Sequence, residues 1–105
     1  MYMSQYQHIT IEDDGRLVAE AHVRSSRAAV DARLRLEPGR LPSGTGTKLV
    51  DAVLDLSTAQ PGTPLRMSLP PGGGEILDRM RQRCTAVTSH NAGATWRLEA
   101  RIPEA

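Results

Sequence analysis

From Ala28 to Glu37 the chain reads Ala-Ala-Val-Asp-Ala-Arg-Leu-Arg-Leu-Glu, and from Val30 on apolar and charged residues alternate. A β-strand turns successive side chains to opposite faces. Val30, Ala32, Leu34 and Leu36 therefore share one face, and Asp31, Arg33, Arg35 and Glu37 share the other. The same period recurs over Leu17–Arg24 and Thr95–Ile102. A chain built this way folds around a sheet with one dry side and one charged, wet side.

Punctuation between these runs gives the rest of the architecture. His8–Glu12 reads as a first strand, with Ile9 and Ile11 facing the core. Asp13-Asp14-Gly15 is a hairpin turn signal into a second strand, Arg16–Arg24. There Leu17, Ala19, Ala21 and Val23 point in, while Val18, Glu20, His22 and Arg24 point out. Ser25-Ser26-Arg27 turns into the third strand, completing a meander. Pro38 to Gly46 is a loop by composition, and Thr45 or Thr47 is the candidate N-cap of a helix over Lys48–Ala59. Leu49, Val50, Val53 and Leu54 form its apolar stripe.

Leu65–Leu69 reads as a short strand and Glu75–Cys84 as a second helix, with Ile76, Leu77, Met80 and Cys84 on its apolar side. A short strand near Ala86–Ser89, a turn at His90-Asn91-Ala92-Gly93 and a final strand with Trp96, Leu98, Ala100 and Ile102 facing in complete the chain. The order is β-β-β-α-β-α-β-β. The segment from Leu65 through the second helix resembles a βαβ crossover, which would supply a parallel pair. The expected fold is a two-layer α+β sandwich: a mixed, mostly antiparallel sheet with two helices on one face. Residues 1–105 read as one domain, frayed at 1–5 and 103–105.

Composition narrows the functions. The net charge is +1, so bulk charge selects no partner class. Twelve of the thirteen basic residues are Arg, as GC-rich bacterial coding produces. There is no Phe, and the aromatics are Tyr2, Tyr6 and Trp96 alone. Such a thin core would gain from an interface, so self-association is an expectation. Cys84 is the only cysteine, which excludes an internal disulfide and suits a reducing cytoplasm. No apolar run reaches the length of a membrane span or a signal segment.

Four constellations could carry chemistry. Gly72, Gly73 and Gly74 join a strand to a helix start, where backbone N–H groups can cradle a phosphate. The loop lacks the endings of the known phosphate fingerprints, and Glu75 beside it would repel an anion. Arg24, Arg33, Arg35 and Arg97 share the outer sheet face, a candidate nucleic-acid surface. Glu20, Asp31 and Glu99 on that face can neutralise them, and no exposed aromatic is expected there to stack a base. Asp51 and Asp55 lie one helical turn apart, and Arg79, Arg81 and Arg83 suit the C-terminal end of the second helix. His8, His22 and His90 each stand alone in their segments, so no metal site is expected.

With no catalytic cluster visible, the sequence favours a small, non-enzymatic interaction or regulatory module without a cofactor. Its partner would be another protein or a second copy of itself, away from membranes. RNA binding through the Arg-bearing face is the first alternative. A phosphate-ligand or enzymatic site at Gly72–Gly74 is the second.

Overall fold

The computed structural model describes residues 5–26, 28–37, 42–56, 61–70 and 74–102. Its elements are β1 (Gln5–Asp13), β2 (Arg16–Ser25), β3 (Val30–Leu36), α1 (Thr45–Leu56), β4 (Pro64–Leu69), α2 (Gly74–Arg83), β5 (Thr85–Ala92) and β6 (Thr95–Arg101). The strands form one six-stranded mixed sheet in the order β1-β2-β3-β4-β6-β5. The α+β architecture is the expected one.

The first three strands form the expected meander. Asp14 and Gly15, at φ 55° and 77°, make a two-residue turn of the kind that matches strand twist. The β1–β2 pairing contains one irregularity. Register runs Ile11↔Ala19 and then Glu12↔Leu17, so Val18 has no partner on β1. Such a bulge breaks strict alternation. Val18, expected outside, is 2% exposed, and Leu17, expected inside, is 44% exposed.

The parallel pair lies elsewhere than expected. β3 and β4 run parallel, with α1 between them in the chain. The strand β4, expected to open the crossover through α2, pairs antiparallel with β6. A helix provides the length that any parallel connection needs, and α1 meets that condition first. At the far edge, β5 carries a register break between Thr85 and Thr88, with Ala86 at φ 54°. It extends to Ala92, so His90 and Asn91 belong to the strand and the turn is Gly93-Ala94.

One core lies between the sheet and the helices. Ala21, Val23, Val30, Ala32, Leu65, Met67 and Leu98 meet Leu49, Val50 and Val53 of α1 and Ile76 and Met80 of α2. Trp96, expected deep, is only partly buried against this cluster. Asp51 fastens the two helices. Its Oδ1 accepts from Arg79 Nε at 2.9 Å and from Arg83 Nη1 at 3.1 Å. Arg83 also lies 3.6 Å from Asp55. Asp51 and Asp55 with Arg79 and Arg83 thus serve to dock one helix on the other. Hydrogen bonds from Arg79 hold the Asp51 carboxyl below its ordinary range, against a smaller opposing effect of burial.

Helix α1 begins at Thr45, one of its two candidate caps, rather than at Lys48. Thr45 opens the helix, and its hydroxyl donates to Pro42 O at 2.7 Å. Capping comes from another element. Glu75 Oε1 accepts from Gly44 N at 3.1 Å, and Oε2 accepts from Thr47 N at 2.8 Å. The N-terminal amides of a helix lack intrahelical partners, and a carboxylate there also meets the positive end of the helix dipole. Gly46 permits the approach, because a Cβ at that position would sit 2.8 Å from Glu75 Oε2.

Candidate functional site

The face of the sheet away from the helices carries the polar residues, and register aligns them in rows. One row crosses every strand: His8, His22, Arg33, Ser68, Arg97 and His90. A second runs Tyr6, Arg24, Asp31, Arg66, Glu99 and Thr88. All four arginines expected on this face are in strands β2, β3 and β6 and are exposed.

Charge pairing separates those arginines into two kinds. Arg24 lies 3.4 Å from Asp31, and Arg35 lies 3.4 Å from Glu20. Among the described residues, no carboxylate lies within 4.0 Å of Arg33 or Arg97. One expectation about this face needs correction. Because β1 starts at Gln5 rather than at His8, Tyr6 joins the outer face beside Arg24 and is 75% exposed.

The sheet opens at its centre. β3 and β4 pair over Val30↔Leu65, Asp31↔Arg66, Ala32↔Met67 and Arg33↔Ser68, and the pairing stops there. Beyond Arg33, Leu34, Arg35 and Leu36 keep their partners on β2 but have none on β4. Where the pairing ends, one residue before β4 itself ends at Leu69, lies a cavity of about 570 Å³, lined by Arg33, Leu34, Arg35, Leu36, Ser68, Leu69, Pro70, Ala94, Thr95 and Arg97. It lies at the C-terminal ends of two parallel strands, where α/β sheets characteristically receive ligands. Three guanidinium groups line it, and the unpaired edge of β3 offers backbone donors and acceptors to an extended ligand.

A second cleft of about 530 Å³ adjoins it over β1, β2, β3 and β4, and both include Arg33 and Ser68. Three titratable groups converge at its side. His8 Nε2 lies 3.1 Å from Glu20 Oε2, and His22 Nε2 lies 3.8 Å from Glu20 Oε1. The two imidazole rings stack with centroids 4.4 Å apart and planes 5° from parallel. His90 closes the same row at the opposite edge of the sheet, four strands from His22.

The sequence missed this cluster because each histidine is isolated in its own segment. Counting back from the Asp14-Gly15 turn would place Ala21 opposite His8 in an unbroken hairpin. The bulge at Val18 shifts the register by one and brings His22 there instead. Of the expected phosphate loop, Gly72 and Gly73 lie outside the described residues. Gly74 opens α2 and is exposed, with Glu75 next to it committed to α1. Cys84 is buried, and burial pushes its thiol pKa up, so it is a core residue rather than a nucleophile. No described helix is long and apolar enough to cross a membrane.

No family model matches the chain. No curated protein matches it either. Solved structures do. A provisionally assigned acetyltransferase from Sphaerobacter thermophilus DSM 20745 superimposes with a TM-score of 0.62 at 10% identity, over 96% of this chain and 67% of that one. A GNAT-superfamily phosphinothricin acetyltransferase from Sinorhizobium meliloti, in complex with acetyl-CoA, gives 0.48 at 17% identity, over 93% and 62%. The chain thus spans about two thirds of the first structure's length and less of the second's. The first of these likenesses overturns the reading of the chain as a non-enzymatic interaction module. That reading rested on the lack of a catalytic cluster in the linear sequence, whereas the polar rows and the central opening exist only once the strands pair. The sheet and its two helices have the fold of an acetyltransferase structure.

Proposed function

We propose that this chain works in acyl transfer, binding an anionic acyl donor in the opening between β3 and β4. The observation that carries the reading is the end of β3–β4 pairing at Arg33↔Ser68, with the cavity that lies there. The fold likeness to an acetyltransferase makes acetyl the simplest acyl group. Arg33, Arg35 and Arg97 favour a donor that carries phosphate or another anion, since guanidinium pairs well with such oxyanions. The free edge of β3 at Leu34–Leu36 suits a donor with an extended, amide-bearing arm.

The adjoining cleft gives an acceptor its approach. In acyl transfer the acceptor's amine or hydroxyl attacks the thioester carbonyl, and the carbon–sulfur bond breaks. The acceptor loses a proton and the departing thiolate gains one. Ser68, common to both clefts, stands between Arg33 and Arg97 in register, so that donor and acceptor would meet at this row.

Titration with acetyl-CoA, followed by amide NMR, tests the reading. Shifts should concentrate on Leu34, Arg35, Leu36 and Leu69. Arg33→Ala together with Arg97→Ala should weaken binding at least about tenfold, the loss of one charge-assisted hydrogen bond or more. Unmoved amides at these four positions at about 1 mM donor would overturn it. Shifts with RNA that disappear on adding salt would move the weight to nucleic acid.

A further inference from the structure

We infer that His8, His22 and Glu20 form a site for a single divalent transition-metal ion of the zinc class on the outer face of β1 and β2. Two imidazole nitrogens and one carboxylate are a ligand set that zinc accepts in tetrahedral sites. Their ligand atoms all lie within 4.8 Å of one another. Nitrogen-rich donors of intermediate softness select zinc and its transition-metal neighbours over calcium or magnesium, which prefer all-oxygen sets.

The strands build the site. His8 and His22 are direct register partners, so their Cβ atoms start about 4.5–5.5 Å apart, as in cross-strand pairs generally. Glu20 lies two residues from His22 on the same face of β2. Its side chain is 16% exposed, and Arg35 Nη1 holds it at 3.4 Å. The carboxylate is therefore positioned before any ion arrives. Both rings present Nε2 toward it. The rings lie 5° from parallel, so their nitrogens stand side by side, and two nitrogens bound at about 2.0–2.1 Å to one zinc must instead converge on it. Both imidazoles are half exposed, at 50% and 53%, so the rings have room to turn toward a shared ion.

Three protein ligands leave a fourth position open. Two of the three ligands, His8 and His22, also line the cleft bordered by Tyr6, Arg24 and Arg33. An open position is the mark of a metal that takes a water or an exchangeable ligand, in contrast to a closed structural site. This site does not depend on donor binding between β3 and β4.

The test uses tag-free protein titrated with zinc chloride by calorimetry at neutral pH. Cobalt chloride serves as a spectroscopic probe, because its visible absorption reports ligand geometry. One equivalent should bind, and cobalt should give the bands of a four-coordinate site. His8→Gln and His22→Gln should each weaken binding at least about tenfold, since loss of even an indirect support for a metal ligand costs that much. His90→Gln and Cys84→Ser should leave it unchanged, because neither residue reaches the site. The exposed histidines can be replaced without unfolding, which circular dichroism will verify for each variant. No binding up to about 1 mM zinc, or binding that survives both histidine substitutions, overturns the assignment.

Discussion

Removal of the Glu75 carboxylate tests how the two helices are joined. In Glu75→Ala, Gly44 N and Thr47 N lose acceptors at 3.1 and 2.8 Å, and the first turn of α1 loses its only described carboxylate. Loss of a capping acceptor costs about 0.5–2 kcal/mol, and loss of a charge at a helix N-terminus a further ~0.3–1 kcal/mol. Water satisfies part of what is lost, since both bonds are exposed. The net effect should be about 1.5 kcal/mol. For a domain of 105 residues that corresponds to a melting temperature lower by about 6–12 °C.

Glu75→Gln keeps one acceptor oxygen and loses the charge, so it should fall between wild type and Glu75→Ala. Gly46 supplies a cross-check. Its missing side chain leaves room for the carboxylate: a Cβ there would lie 2.8 Å from Glu75 Oε2, 3.1 Å from Glu75 Cβ and 3.2 Å from Ile76 Cγ1. Alanine normally gains about 1 kcal/mol over glycine inside a helix. Here Gly46→Ala should instead destabilise, by driving Glu75 off its amides. In the Glu75→Ala background it should cost less, because the conflict with the carboxylate has gone. Urea denaturation of the four proteins gives the coupling directly. A Glu75→Ala protein that melts within a degree of wild type, or strict additivity in the cycle, would refute the reasoning.

Two further outcomes follow from the structure. Val18→Ser should destabilise by about 1–3 kcal/mol in chemical denaturation, whereas Leu17→Ser should stay within about 0.5 kcal/mol, because the bulge buries the former and exposes the latter; the reverse order would place the bulge elsewhere. Asp51 has its carboxyl pKa depressed by Arg79, so its contribution is present above the ordinary carboxylate pKa of about 3.9 and is lost as pH falls through the lower folded value. Asp51→Asn should therefore lower the melting temperature at pH ~7, and the deficit should shrink below pH ~4; a deficit constant across that range would refute the ion pair's role.

Strand and helix identity was written in the linear pattern. Period-two runs at residues 17–24, 30–37 and 95–102 can bury an apolar face only as strands, and the spacing of Leu49, Val50 and Val53 can do so only as a helix. Asp14-Gly15 specified its hairpin locally, since few residues other than glycine accept the required φ. These properties depend on neighbours in sequence, so the sequence alone determined them. Tertiary structure decided register, strand order and everything built from them. A single unpaired residue, Val18, sets which residue faces His8, and a one-residue slip would have replaced His22 with Ala21. The pairing of β4 between β3 and β6 places Ser68 in the row with Arg33 and Arg97 and leaves Leu34–Leu36 an open edge. Glu75, read locally as the start of its own helix, caps another one 28 residues away. Each of these contacts joins groups far apart in the chain, and their energies depend on distances that only the packed sheet and helices define.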